Sequence, residues 1–336
     1  MGKGICVAGN MMVDILYPTA GWPRQGELVH ILEGIERSVG GAVHNVLVDL
    51  AVLDPTLELY ALGRNGADDN GRIIMDRLAA HPSIDTSGIL LEGDAAFTAV
   101  MSDTLTKQRT FFTYLGANAR FDEDSIDWDR VGGDILHVGY ILLLNALDQP
   151  DGEYGSKMAR LLHHARQRGF RTSIDVVSEA GERFARLVPP ALRYADYCVI
   201  NEVEAQQTTG VALRDGDGAL LKRNLPQALE SMRRMGVAEW AVIHCPEGAA
   251  GMDRAGRYLW RNSLRLPEGW IQGTVGAGDA FCAGVLYGAE KDWSLEKAID
   301  LGAAMAAASL SRPGSTEGML PLEDTLTLVE RFGGRE

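Results

Sequence analysis

The chain has 336 residues, 46% of them apolar and 23% charged, proportions that exclude wholesale disorder and allow about two domains or one large α/β unit. With 32 basic residues against 46 acidic ones the formal charge is −14. The resulting pI near 5.0 argues against a broad nucleic-acid surface, though a single nucleotide needs only a local pocket of amides and a few cations.

The start, MGKGICVAGN, has no charged segment leading into an apolar one, so a secretory leader is not expected. Cys6 stands where the myristoylation pattern takes Ser or Thr. The longest uncharged stretch, Ile135 to Leu147, is too short to span a bilayer. The expectation is a cytoplasmic protein with no membrane partner. ICVAG (5–9) reads as a buried strand, and Asn10 and Asp14 follow it. Residues 11–39 carry no helical pattern. Gly40-Gly41-Ala42-Val43-His44-Asn45 then opens a helix over 43–53. A carboxylate such as Asp14 and an amide such as Asn45 can bind vicinal hydroxyls of a polyol, although Asp14 also reads as a plain strand end and Gly40-Gly41 as a turn.

LELYAL (57–62) is a second strand and 69–80 a helix. Residues 92–118 hold two short strands, FTAVMSD and QRTFFTYL, with no helix between them. Alternation in RTFFTYL predicts strands with one exposed face. The segments 11–39 and 92–118 are expected to meet in a small β-sheet that stands off the main body as a lid.

Thereafter strands ILHVG (135–139), RTSIDV (171–176), YCVIN (197–201) and WAVIHC (240–245) alternate with helices over 153–168, 202–209 and 222–235. This alternation predicts a parallel sheet covered on both faces. Asn201-Glu202-Val203-Glu204 follows the strand YCVI directly. Asn201 and Glu204 share one helix face, as a capping box would, and could equally hold water around Mg²⁺ near transferring phosphates. The last third is helical, over 278–290, 294–311 and 321–332.

GTVGAGDAF (273–281) is the sharpest feature. Gly276, Ala277 and Gly278 would present several N–H groups at a helix N-terminus, a ready anion site. Asp279, in the first helical turn, suits a base that takes the proton of an alcohol attacking a phosphoryl group while the amides stabilise developing charge. The simpler reading is a favourable carboxylate at a helix N-terminus. A dinucleotide fingerprint, and with it an oxidoreductase, is disfavoured because the third glycine and the strand–acid partner are missing. Cys6, Cys198, Cys245 and Cys282 form no CxxC pair, and the seven histidines show no HxxxH or HExxH spacing. They predict reduced, buried thiols and no structural metal site.

Taken together and in this order, these motifs resemble the ribokinase-like (PfkB) carbohydrate kinase family. GAGD at 276–279 is similar to its C-terminal signature, GGAVHN at 40–45 to its N-terminal one, and Asn201-x-x-Glu204 to its NxxE motif. Gly116-Ala117-Asn118-Ala119 resembles a segment at the lid edge. The resemblance covers essentially the whole chain. It implies a single three-layer α/β/α domain over 1–336, with a mostly parallel central sheet, a small β-sheet lid and a nucleotide-binding part near 197–336. It also implies an ATP-dependent kinase acting on a sugar or nucleoside hydroxyl, with Mg²⁺, and a homodimer formed through the lid. Asp279 would be the base, with Gly276, Ala277 and Gly278 as anion hole. Asn10, Asp14, Gly40, Gly41, His44 and Asn45 would contact the acceptor. Asn201, Glu204, His244, Gly248 and Thr274 would contact nucleotide or phosphate, with adenine against Ala303, Ala307 and on to Ser309.

Departures from the family pattern are specific. Gly273 replaces the Asp that usually opens the C-terminal signature and helps hold a potassium-like ion, so K⁺ dependence should be weak. His244 and Pro246 stand where Thr and Gly are common in the nucleotide loop. Met12 and Ala42 replace a polar residue and a Lys of ribokinases, which argues against ribose and toward a nucleoside or modified sugar walled by His44 and Met12. A nucleotide-regulated binding protein on the same fold is the remaining alternative. Retention of the base argues for turnover.

Overall fold

ICVAG becomes a strand with every residue buried, as an apolar run flanked by helices on both faces requires. In the computed structural model, which describes residues 3–177 and 183–334, the first half contains β1 (Ile5–Gly9), β2 (Met12–Thr19), β3 (Glu36–Gly40), α1 (Ala42–Leu53), β4 (Leu59–Asn65), α2 (Asp69–Ala79), β5 (Ile84–Leu91), β6 (Ala96–Asp103), β7 (Arg109–Tyr114), β8 (Ile135–Ile141) and the short pair β9 (Pro150–Asp151) and β10 (Gly155–Ser156). The second half contains α3 (Lys157–Gln167), β11 (Arg171–Val176), α4 (Arg183–Leu192), β12 (Tyr197–Asn201), α5 (Glu202–Thr209), α6 (Leu225–Met235), β13 (Trp240–Cys245), β14 (Gly248–Asp253), β15 (Tyr258–Asn262), α7 (Ala277–Glu290), α8 (Leu295–Ser309) and α9 (Leu322–Phe332).

The large sheet has the order β15-β14-β13-β12-β11-β8-β1-β4-β5. Pairings from β5 through β13 are parallel, and β14 and β15 are added antiparallel at one edge. One apolar core, with α1, α2, α7, α8 and α9, covers one face, and α3, α4, α5 and α6 cover the other. This is a three-layer α/β/α fold. β1 lies between β4 and β8, so the strand order reverses there, and a crevice opens at the carboxyl ends of the strands. α1 is sandwiched so fully that eleven of its residues are buried. α7 and α8 touch through glycines: a Cβ on Gly284 would lie 2.6 Å from Gly302 Cα, so neither position accepts a side chain.

The small sheet has the order β3-β2-β6-β7. β2 pairs parallel with β6, and the outer pairings are antiparallel. Residues of 11–39 and 92–118 therefore do share one sheet. Asp14 sits opposite Ser38 on one side and Thr98 on the other. Val13, Ile15 and Val39 point into the core beside α1 and α2. One expectation fails: all six residues of β7 are exposed, on both faces rather than one. β7 is an edge strand on which, among the described residues, only the Trp22 ring over Phe112 and the Phe97 ring beside Tyr114 make ring contacts.

Four helices start later than the sequence suggests, by one to a few residues, α9 among them after Pro321. α3 begins only after Ser156, whose Oγ accepts from Ala159 N, and α6 begins after a 3₁₀ turn at Lys222–Asn224. α8 begins after its cap Ser294. No helix among the described residues is long and apolar enough to cross a membrane.

Candidate active site

The GAGD segment folds as its glycines dictate. Gly276 has φ 80°, and a Cβ there would lie 2.4 Å from Ser315 O, so only glycine fits. It turns the chain into α7, leaving the first amides of that helix without intrahelical partners. Ala277 is half-buried and Gly278 exposed, and Asp279 behind them is buried.

Two side chains from distant elements grip Asp279. Asn45 Nδ2, from α1, donates to Oδ2 at 2.8 Å. Tyr140 OH, from the end of β8, donates to Oδ1. Ser315 Oγ in turn donates to Asn45 Oδ1 at 2.9 Å, fixing that amide's orientation. Burial raises the Asp279 carboxyl to about 6, the Asp175 charge adds to the rise, and the Tyr140 and Asn45 hydrogen bonds oppose it. Burial and the same carboxylate push the Tyr140 phenol well up, so it remains a donor.

The Gly40-Gly41 turn brings the acceptor side to the same crevice. Gly41 has φ 92°, and a Cβ there would meet Asn10 O at 2.7 Å. A Cβ on Gly40 would lie 3.1 Å from Asp14 Oδ2, so the missing side chain leaves room for that carboxylate. Burial raises the Asp14 carboxyl, with Thr98 opposing. Asn10 Oδ1 accepts from Ala42 N at 3.1 Å, and its buried Nδ2 has no partner among the described residues. Asn118, in a 3₁₀ turn after β7, donates from Nδ2 to Met11 O at 2.8 Å and ties the small sheet to the bend after β1.

On the phosphate side, Asn201 and Glu204 form the reciprocal capping box: Asn201 Oδ1 accepts from Glu204 N and Glu204 Oε2 from Asn201 N, both at 2.9 Å. Asn201 pairs in register with His244 on β13. The His244 ring packs 4.9 Å from that of Phe281, and its Cε1 lies 3.5 Å from where a Cβ on Gly278 would be. His244 therefore flanks the amides ahead of Asp279. Burial lowers its pKa to about 4.

Four of the expected site residues have partners or neighbours within the protein. Asn45 gives one amide N–H to Asp279. His44 is buried, with Nδ1 hydrogen bonded to Asn45 Oδ1 at 3.0 Å. Burial lowers its pKa to about 4, with the Asn45 hydrogen bond opposing. Gly248 is buried where β14 meets β15, and a Cβ would lie 2.2 Å from Arg261 O, so close strand approach explains the glycine. Ala307 is covered by Trp270, whose Nε1 donates to its carbonyl at 2.8 Å, while Ala303 stays half-exposed on α8. Thr274 is exposed in the loop before Gly276. Tyr140 was not foreseen: a tyrosine closing an apolar strand carries no sequence signal that separates it from core.

The model of the pfkB family of carbohydrate kinases matches residues 3–322. A 5-dehydro-2-deoxygluconokinase of Geobacillus kaustophilus is 22% identical over 308 residues, covering 88% of this chain and 84% of that protein. The structure of Arabidopsis thaliana ribokinase complexed with ribose and ATP superposes with a TM-score of 0.80 at 18% identity, covering 98% and 99% of the two chains. That of a 2-dehydro-3-deoxygluconokinase from Thermotoga maritima gives 0.78 at 18% identity, covering 98% and 100%.

Proposed function

Because the chain belongs to the pfkB family of carbohydrate kinases, we propose that it moves the γ-phosphoryl group of ATP to a primary hydroxyl of a sugar or sugar-containing small molecule, with Asp279 as general base. The observation that carries this is the grip on Asp279: a buried carboxylate held by Asn45 and Tyr140, directly behind the exposed amides of a glycine-turned helix. Each held oxygen keeps a lone pair with which to accept a proton. The acceptor hydroxyl gives its proton to Asp279 as its oxygen bonds to the γ-phosphorus, and the bond from that phosphorus to the ADP oxygen breaks. The amides of Ala277 and Gly278 stabilise the charge on the transferring group.

Asp14, with Gly40 and Gly41 leaving the space, binds acceptor hydroxyls. Asn10 Nδ2 is a buried donor available on the same side. His244 and Thr274 face the phosphates, and Ala303 offers the half-exposed part of α8 to the base of the nucleotide. Asn201 and Glu204 offer the hard oxygen donors that suit Mg²⁺ held through water. Mg²⁺ bound with the nucleotide would neutralise phosphate charge. The small sheet acts as a lid that excludes water. Its face away from Asp14, with Trp22 stacked on Phe112 at 6.4 Å and Tyr114 exposed, fits a second copy of this chain.

The test is ADP release from ATP and Mg²⁺ across a panel of sugars, sugar acids and nucleosides, run on the parent chain and on Asp279→Asn. Turnover of a sugar by the parent and its near loss in the variant is the expected pattern. Failure of every acceptor, or a variant as fast as the parent, overturns the reading.

A further inference from the structure

Three buried side chains that are not among the groups proposed to touch the substrates meet beneath α7. His137 comes from β8, Asp175 from β11, and Cys282 from α7, one turn beyond Asp279. Each is less than a tenth exposed. His137 Nε2 lies 3.6 Å from Asp175 Oδ2 and 4.0 Å from Cys282 Sγ, and the three atoms all lie within 4.8 Å of one another. The first contact is too long for an N–H···O bond and the second is at the limit for sulfur. A triangle of that size places its centre no more than about 2.5 Å from each corner. Zinc needs about 2.0–2.2 Å to nitrogen or oxygen and about 2.3 Å to sulfur, so a contraction of a few tenths of an ångström completes the fit.

A second observation points the same way. Asp175 Oδ1 is buried without a hydrogen-bond partner among the described residues. It faces Gly139, where a Cβ would lie 2.3 Å from it. A carboxylate left so in an apolar layer is costly, and a bound dication removes the cost. His137 is also pre-set for ligation: Nδ1 lies 3.0 Å from Ser173 Oγ, which fixes the ring and turns Nε2 into the gap.

We propose that His137, Asp175 and Cys282 form a binding site for a thiophilic divalent cation of the zinc class. Imidazole, carboxylate and thiolate together select such an ion over Mg²⁺, which prefers all-oxygen shells and retains its water. Binding breaks the S–H bond of Cys282 and forms a metal–sulfur bond, with the proton released to solvent and no change of oxidation state. The ion ties α7, which carries Asp279, to the two strands under it. Linear spacing could not disclose this site, because each ligand comes from a different element.

The full chain, reduced and stripped with a chelator, is titrated with Co²⁺ and then Zn²⁺ in excess Mg²⁺. The thiolate-to-Co²⁺ charge-transfer absorption, proton release and metal retained after gel filtration are measured. About one ion per chain is expected, with the Co²⁺ band displaced by Zn²⁺. Cys282→Ser should abolish the band. Cys282→Ser and His137→Gln should each weaken Zn²⁺ binding about tenfold or more, and Cys245→Ser should change nothing. Should the variants not fold, zinc-edge absorption spectroscopy on the loaded parent reads the donor set directly, and a mixed sulfur, nitrogen and oxygen shell is the supporting result. No retained metal, a band that survives Cys282→Ser, or a shell without sulfur overturns the proposal. Every readout is of the metal, so the outcome is independent of the kinase reading.

Discussion

In the large sheet every residue of β1 is buried, and helices pack both faces of the strands around it. In the small sheet Val13, Ile15 and Val39 reach the core, while β7 exposes all six of its residues and Trp22 stacks on Phe112 at the surface. The two proposed halves of the chemistry divide along this line. Asp279 and its holders Asn45 and Tyr140 stand on helices and a strand of the packed body. Asp14 stands on β2, at the root of the thin sheet. A packed scaffold holds a base to a fraction of an ångström, whereas a thin sheet with one anchored face can move around a substrate. The body should therefore govern rate and the small sheet capture.

The largest expected effect tests the body. Asp279→Asn should lower kcat about 10²–10⁴-fold with little change in substrate KM, because the amide keeps the shape but cannot take the proton. Steady-state kinetics showing more than a tenth of parental kcat would remove Asp279 from its role. The next tests the small sheet. Asp14→Ala should mainly raise acceptor KM, with kcat/KM falling about 10- to 100-fold, as loss of charged hydrogen bonds worth about 1.5–3 kcal/mol implies. A fall in kcat at unchanged KM would break the division of labour.

A third expectation concerns what the packed body sacrifices to hold a base. The buried Asp279 carboxyl is raised to about 6. The group is thus harder to ionise folded than unfolded, and its burial opposes folding wherever the native carboxyl must ionise. That cost is full above pH 6 and vanishes as pH falls below the ordinary carboxylate value near 4. Asp279→Asn should therefore be more stable than the parent by about 1–3 kcal/mol at pH 7–8. The gain, read by thermal or urea unfolding, should shrink toward pH 4. A gain independent of pH would mean that charge is not its source. The same titration predicts a parental kcat/KM that falls as pH drops through about 6.

Legibility in the sequence followed the same division. The six central strands of the nine-stranded sheet are apolar runs because both faces are covered, and all six were readable, whereas the edge strands β5, β14 and β15 were not. GAGD, NxxE and the double glycine were readable because backbone geometry there demands particular residues. Other elements were hidden for physical reasons. β14 reads as a loop, since Gly248 and Gly251 are small to admit neighbours, and a Cβ on Gly251 would meet Ile299 Cδ1 at 2.7 Å. α4 contains Pro189 and Pro190, which discourage a helix assignment. The holding of Asp279 by Asn45 and Tyr140 is a tertiary fact: partners 234 and 139 residues away leave no local trace. Exposure of β7 on both faces was also invisible, because alternation implies a packed side, and among the described residues only Trp22 and Phe97 bring rings to it.

That unpacked strand gives a smaller prediction. Phe112→Asp should shift the chain from dimer to monomer in light scattering while leaving kcat within about twofold, since Phe112 lies on the outer surface, away from Asp14. A parent that is monomeric at high concentration would leave the thin sheet without its second copy.

The smallest expected effect lies back in the body, at the loop before Gly276. The resemblance places a carboxylate at position 273 as part of a potassium site, and this chain has Gly273. Loss of one anionic ligand removes charge attraction worth about 1 kcal/mol or more for a singly charged ion at partly screened contact distance. Carbonyl oxygens alone can hold K⁺ only where they are held in place for it. These carbonyls sit close to position 273: a Cβ on Gly273 would lie 2.7 Å from Pro313 O and 2.8 Å from Arg312 O. Those carbonyls crowd the space a side chain would need, so Gly273→Asp should disturb the loop rather than restore an ion site. Gly276 already fixes the turn through Ser315, so the amides are ordered without an ion. We expect kcat/KM to differ by less than about threefold among K⁺, Na⁺ and a bulky organic cation at equal ionic strength. A K⁺-specific gain of about tenfold would instead show that carbonyls from 311–315 rearrange into a cation site, and that this part of the packed body is as mobile as the small sheet.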